Sequence, residues 1–108
     1  MRKYNVLWSN AAKLDLYEII DFIAEKSPAN AFKILDRIER KAATLETNPN
    51  RGKYCTELLD VGIKTYGELI SKPWRIIYRM EGKAVYIIGV FDGRRNLSEI
   101  ISHRISRN

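Results

Sequence analysis

The chain has 108 residues, 45% of them hydrophobic, and carries 19 Lys/Arg against 13 Asp/Glu for a net charge of +6. That length suits one domain with a core of its own, spanning residues 1–108, and no apolar run approaches the roughly 20 residues of a membrane span. The first ten residues lack the long apolar segment of a secretory signal, and a single cysteine excludes an internal disulfide, so a cytoplasmic protein is expected.

Tyr4, Val6 and Trp8 alternate with Asn5 and Leu7, which predicts a short first strand. Ser9 or Asn10 can then cap a helix whose apolar stripe is Ala12, Leu16, Ile19, Ile20 and Ile23, ending near Lys26. Ser27-Pro28 starts a second helix, with proline at the first position where its missing N–H costs nothing. Ala31, Leu35, Ile38, Ala42 and Leu45 form its stripe, and the short connection makes the pair an antiparallel hairpin. Asn48-Pro49-Asn50-Arg51-Gly52 ends it.

Residues 53–60 read as a loop that presents Leu58 and Leu59 to the core, and Cys55 as a small apolar residue without the neighbours zinc needs. A strand follows over 63–70, weakened by Gly62 and Gly67. The strongest signal is the β-hairpin in residues 72–95, where WRIIYRM and AVYIIGVF flank Glu81-Gly82-Lys83. Period-two alternation puts Trp74, Ile76, Tyr78 and Met80 on one face, with Arg75, Ile77 and Arg79 on the other. The second run is apolar on both faces, Ala84, Tyr86, Ile88 and Val90 against Val85, Ile87, Gly89 and Phe91, as expected of a strand inside the sheet. Asn96 or Ser98 can cap a short closing helix with Leu97, Ile100, Ile101 and Ile105 inward and Arg104 and Arg107 in its last turn.

The order is strand, helix, helix, three strands and a closing helix: an α+β fold, with a helical hairpin on one face of a mainly antiparallel sheet. The other face is then free for arginines. Charge supports that placement, because residues 1–63 carry 10 Lys/Arg and 9 Asp/Glu while residues 64–108 carry 9 against 4. Arg75, Arg79, Arg94 and Arg95 are expected to gather at one end of the hairpin and to offer a cationic patch to an anionic partner. The alternative is that Arg75 and Arg79 pair with Glu68 or Glu81 across strands, and that Arg94 and Arg95 sit in a solvated turn.

These pieces, from the N-terminal tryptophan strand through DLYEIIDFIAEKSPANA, NPNRG, Gly-Glu-Leu and WRIIYRM to VFDGRRNL, together resemble the ParE/RelE superfamily of bacterial type II toxins. The resemblance implies two helices packed on a curved antiparallel sheet. It also implies a cognate antitoxin whose extended acidic or amphipathic C-terminal segment wraps the toxin into a hetero-oligomer. RelE-like members cut mRNA on the ribosome, whereas ParE-like members poison DNA gyrase. In the ribonuclease pattern the two arginines match Arg75 and Arg95, but the closing-helix tyrosine is replaced by Ile101 and the expected lysines by Tyr66 and Glu68. Many relatives also carry an arginine where this chain has Gly67.

Cleavage through a 2′-hydroxyl needs groups that take and give protons. Arg75 and Arg95 can only hold charge, and His103, read as a surface residue, is the one standard proton carrier. Tyr78 and Tyr86 point toward core on this periodicity. With no His-rich metal spacing and no Gly-rich phosphate loop, neither metal nor cofactor is expected. The first expectation is therefore a ParE-like gyrase inhibitor without catalytic residues, contacting its target or antitoxin through Arg75, Arg79, Arg94 and Arg95. The alternatives are a RelE-like endoribonuclease using Arg75, Arg95 and His103, or a non-toxic basic binding module of the same fold.

Overall fold

The computed structural model describes residues 3–50 and 52–106. Strand β1 (Asn5–Trp8) leads into helix α1 (Asn10–Ala24), where the Ser9 side chain accepts the Ala12 N–H at 3.1 Å. Helix α2 (Pro28–Ala43) begins the same way, with Ser27 accepting the Asn30 N–H at 3.2 Å, and it closes in a 3-10 turn at Thr44–Glu46. Strand β2 (Lys53–Tyr54) and the one-turn helix α3 (Thr56–Leu59) precede strands β3 (Tyr66–Ser71), β4 (Trp74–Glu81) and β5 (Ala84–Asp92), and helix α4 (Ser98–Ser106) closes the chain.

The five strands lie in the order β1-β5-β4-β3-β2, and every neighbouring pair is antiparallel except β1 with β5. The apolar stripes of α1 and α2 pack on one face, where Ala12, Leu16, Ile38, Ala42 and Leu45 meet Leu69, Ile76, Tyr78, Val85, Ile87 and Val90. Each large apolar side chain among them that is removed from water contributes about 1.5–3 kcal/mol. This is the α+β arrangement expected from the sequence.

Three expectations fail locally. The opposite face of the sheet is not free: α3 and α4 cover it and build a second core from Cys55, Leu58, Ile77, Ile88, Phe91, Leu97 and Ile101. Residues 53–60 hold a short strand and a helical turn instead of a loop, and only Leu58 goes inside while Leu59 stays exposed. The alternation in β5 also breaks, because Ile77 pairs with Gly89 but Tyr78 pairs with Ile87, leaving Ile88 as an extra residue. Such a bulge moves every later side chain to the opposite face. Val90 accordingly joins Val85 and Ile87 under the helices, and Phe91 turns toward α4. Arg107, assigned to the last turn, lies outside the described residues.

The bulge sits where β1 has ended, so part of the β5 edge loses its strand neighbour. Side chains take over: Asp15 on α1 accepts the Val90 N–H at 3.0 Å, and Arg104 on α4 donates to the Ile88 carbonyl at 2.8 Å. Arg104 also forks onto both oxygens of Asp15, at 2.8 and 3.0 Å, and lies over the Phe91 ring at 5.0 Å. Buried backbone groups need partners, and this clasp supplies them while tying α4 to α1 across the sheet edge.

Candidate functional site

The four arginines of the hairpin do not form one patch. Arg75 and Arg79 are four residues apart on β4, about 13 Å at the usual strand rise. Arg79 pairs in register with Tyr86 near the Gly82 turn, whereas Arg75 pairs with Phe91 near the strand's other end. Only Arg75, Arg94 and Arg95 share an end. A Cβ on Gly93 would lie 3.1 Å from the Cδ of Arg75, so the turn packs directly on that side chain's aliphatic stem.

The head of Arg75 is enclosed by the chain's own acids. Its guanidinium donates to both oxygens of Glu57, at 2.7 and 2.6 Å, and Nε donates to Glu68 at 3.1 Å, with a further contact from Nη2 to the same Glu68 oxygen. Side-chain exposure is 12% for Arg75, 19% for Glu57 and 3% for Glu68, so the triad is largely shielded from water. The bidentate bond from Arg75 holds the Glu57 carboxyl down at about 2, against an ordinary 4.5, and the same bond raises the Arg75 guanidinium further above its usual range.

Cys55 stands beside this cluster, its Sγ 3.7 Å from Glu57, and burial pushes its thiol up. Cys55, Glu57 and Glu68 place one ligand atom each within 4.8 Å of one another. The cation among these groups is the Arg75 guanidinium, which already fills the carboxylate positions a metal would use.

The other residues are more open. Arg79 donates to Glu81 at 2.7 Å and lies over the Tyr86 ring at 4.9 Å, and its side chain is 30% exposed. Arg94 forks onto Asp92 at 2.9 and 2.8 Å and is 72% exposed; that fork holds the Asp92 carboxyl at about 2. Arg95 and His103 are exposed, and Ile101, at the position of the ribonuclease tyrosine, is fully buried against the sheet.

The expectation that Arg75 and Arg79 stand free on an uncovered face therefore does not hold: Arg75 pairs across strands with Glu68, whereas Arg79 pairs with Glu81 two residues along its own strand. Glu68 was legible as a partner, because it is the diagonal neighbour of Arg75 across β3 and β4. Glu57 was not, since only the fold of α3 carries it across 18 sequence positions to Arg75. The Asp15–Arg104 clasp, separated by 89 positions, had no sequence signal either.

A strand, a helical hairpin and a four-stranded antiparallel run, closed by a helix on the far face, define a small α+β fold. It superposes on a chain of the chromosomal ParDE TA system from P. aeruginosa with a TM-score of 0.68 at 20% identity, covering 83% of this chain and 96% of that one. Against the RelBE2 toxin-antitoxin complex from Mycobacterium tuberculosis the TM-score is 0.61 at 23% identity, covering 85% and 93%. For a mutant of the E. coli toxin RelE in the free state it is 0.66 at 14% identity, covering 97% of both chains.

The family described as the ParE toxin of the type II toxin-antitoxin system parDE matches residues 6–97, and the chain belongs to it. It is also 36% identical over 64 residues to Toxin ParE3 of Caulobacter vibrioides, covering 59% of this chain; the match spans 60% of the length of that curated relative.

Proposed function

We propose that this chain acts as a single toxin domain in the cytoplasm, that it inhibits DNA gyrase by binding, and that a cognate antitoxin neutralises it. The ParE family match over residues 6–97 carries this reading. The geometry adds support from the chemical side. A ribonuclease of the related type would need a free Arg75 and a proton carrier on the inner side of the closing helix. Here Arg75 is spent on Glu57 and Glu68, and the helix turns Ile101 inward. His103 is exposed and has no acidic partner among the described residues.

Arg75 accordingly moves from the contact set to the scaffold. The contact surface is the β5–α4 corner, where Arg94 and Arg95 are exposed beside the outer face of α4, and Arg79 lies further along the sheet. Guanidiniums at this corner suit carboxylates, from gyrase or from an acidic antitoxin tail. Among the described residues no helix is long and apolar enough to cross a membrane.

Purified protein added to gyrase in supercoiling and cleavage-complex assays should inhibit at near-stoichiometric amounts, and Arg94→Ala with Arg95→Ala should weaken inhibition while leaving the fold intact. Undiminished supercoiling at excess protein, together with codon-phased cuts in translated message, would transfer the assignment to ribosome-dependent cleavage.

A further inference from the structure

The outer face of the α1–α2 hairpin carries two stripes of opposite charge. At about 100° per residue, Glu18, Asp21 and Glu25 fall within about 60° of one another on the side of α1 turned from the sheet, and Lys33, Arg37 and Arg40 do the same on α2. All six are exposed. Like charges three and four residues apart repel along each helix, so neither stripe serves the stability of the isolated chain. Arg40 has an acidic partner, Asp36 at 2.8 Å; the other five make no ion pair among the described residues.

Apolar side chains stand beside the stripes. Leu14, Tyr17, Phe22 and Phe32 are 59%, 58%, 70% and 76% exposed, and none belongs to either core. Exposed apolar groups gathered on one pair of helices and rimmed by charge mark a protein interface.

The charge pattern selects the occupant. Residues 10–43 carry six Lys/Arg and six Asp/Glu, so the hairpin is neutral as a whole but divided between its helices. A polyanion or an acidic tail would meet the acids of α1, and a basic segment would meet the cations of α2. A second copy, turned about an axis that runs between the helices and parallel to them, lays each α1 on its partner's α2 and makes the acid–base contact twice. The heights agree. Asp21 lies three residues inside the end of α1 and Lys33 five inside the start of α2, a difference of about 3 Å along the axis, and Phe22 and Phe32 differ by the same amount.

We propose that the chain self-associates through this face as a twofold homodimer, with Asp21 beside the partner's Lys33 and Phe22 beside the partner's Phe32. Helices of 15 and 16 residues give a face about 23 Å long and about 20 Å wide, at the small end of specific interfaces, so the dimer is reversible, with a Kd of about 1–100 μM. The proposal does not depend on the gyrase reading, and its test contains no gyrase.

Sedimentation equilibrium of the full chain from about 1 to 500 μM should show a monomer–dimer equilibrium. Asp21→Lys alone and Lys33→Glu alone should each weaken it at least about fivefold, because each sets like charges together at two symmetry-related contacts. An equimolar mixture of these two variants should dimerise within about twofold of the unsubstituted protein, since lysine 21 of one chain then meets glutamate 33 of the other. That recovery also shows that both variants are folded. Phe22→Ser with Phe32→Ser should abolish the dimer, whereas Val61→Ser, which removes an exposed side chain outside the hairpin, should leave it unchanged. A monomer throughout this range would overturn the proposal and leave the face to a different protein. A dimer indifferent to both charge reversals, or no recovery on mixing, would also overturn it.

Discussion

Removing the Arg75 guanidinium tests the triad that replaced the expected patch. In Arg75→Ala the carboxylates of Glu68, 3% exposed, and Glu57, 19% exposed, lose the guanidinium between them and keep the exposed Lys53 ammonium 3.8 Å from Glu68. Breaking a buried pair in this way costs about 3–5 kcal/mol, a large share of the roughly 5–15 kcal/mol that holds a domain folded. The expected loss of Tm is roughly 15–25 °C. The pH dependence gives a second, signed readout. Glu57 titrates near 4.5 when unfolded and about 2 when folded, so its contribution is complete above 4.5 and is lost as pH falls through about 2. That gap corresponds to about 3 kcal/mol, reduced to about 2 by residual solvent screening.

Arg75→Ala should reverse the slope, because two adjacent, largely shielded carboxylates that have lost their guanidinium are relieved by protonation, so the variant gains stability as pH falls from about 7 toward 5. Urea unfolding followed by fluorescence of Trp8 and Trp74, both packed against the helix-side core, reports the free-energy loss and its pH slope, and heating followed by the same signal reports Tm. Replacing the triad together, Arg75→Met with Glu57→Leu and Glu68→Leu, should recover most of the loss, since apolar groups leave no unpaired charge. A loss under about 1 kcal/mol in Arg75→Ala, or the same pH slope as the unsubstituted protein, would refute the argument.

Asp15→Ala should cost about 2–3 kcal/mol and speed hydrogen exchange at the Val90 amide, because that N–H and Arg104 lose their acceptor together; unchanged exchange would count against the clasp. Gly67→Ala forces a Cβ into the Tyr78 ring and should destabilise by about 1–3 kcal/mol in denaturant titration, where a neutral or stabilising result would contradict the packing. Cys55, buried to 1% with its thiol raised by burial, should react with a thiol reagent at about pH 8 only at the rate of unfolding, and immediate labelling of folded protein would be inconsistent with its place in the second core.

Local physics made much of the fold readable. Ser9 and Ser27 accept the first helical N–H groups, the stripes of α1 and α2 face the sheet, and Gly82 turns the hairpin at φ +60°. These follow from periodicity and capping, which act over a few residues and leave their mark in the order of the letters. The destination of the arginines was decided elsewhere. Alternation put Arg75 on the correct face, but what meets it there depends on α3 bringing Glu57 across the chain and on α4 closing over the sheet. The β5 bulge is likewise invisible in a run that is apolar on both sides, because either phase buries equally good residues until a partner strand sets the register. Charge pairing over 18 or 89 positions is a property of the folded surface, so tertiary packing, not composition, chose which cations this protein keeps and which it shows.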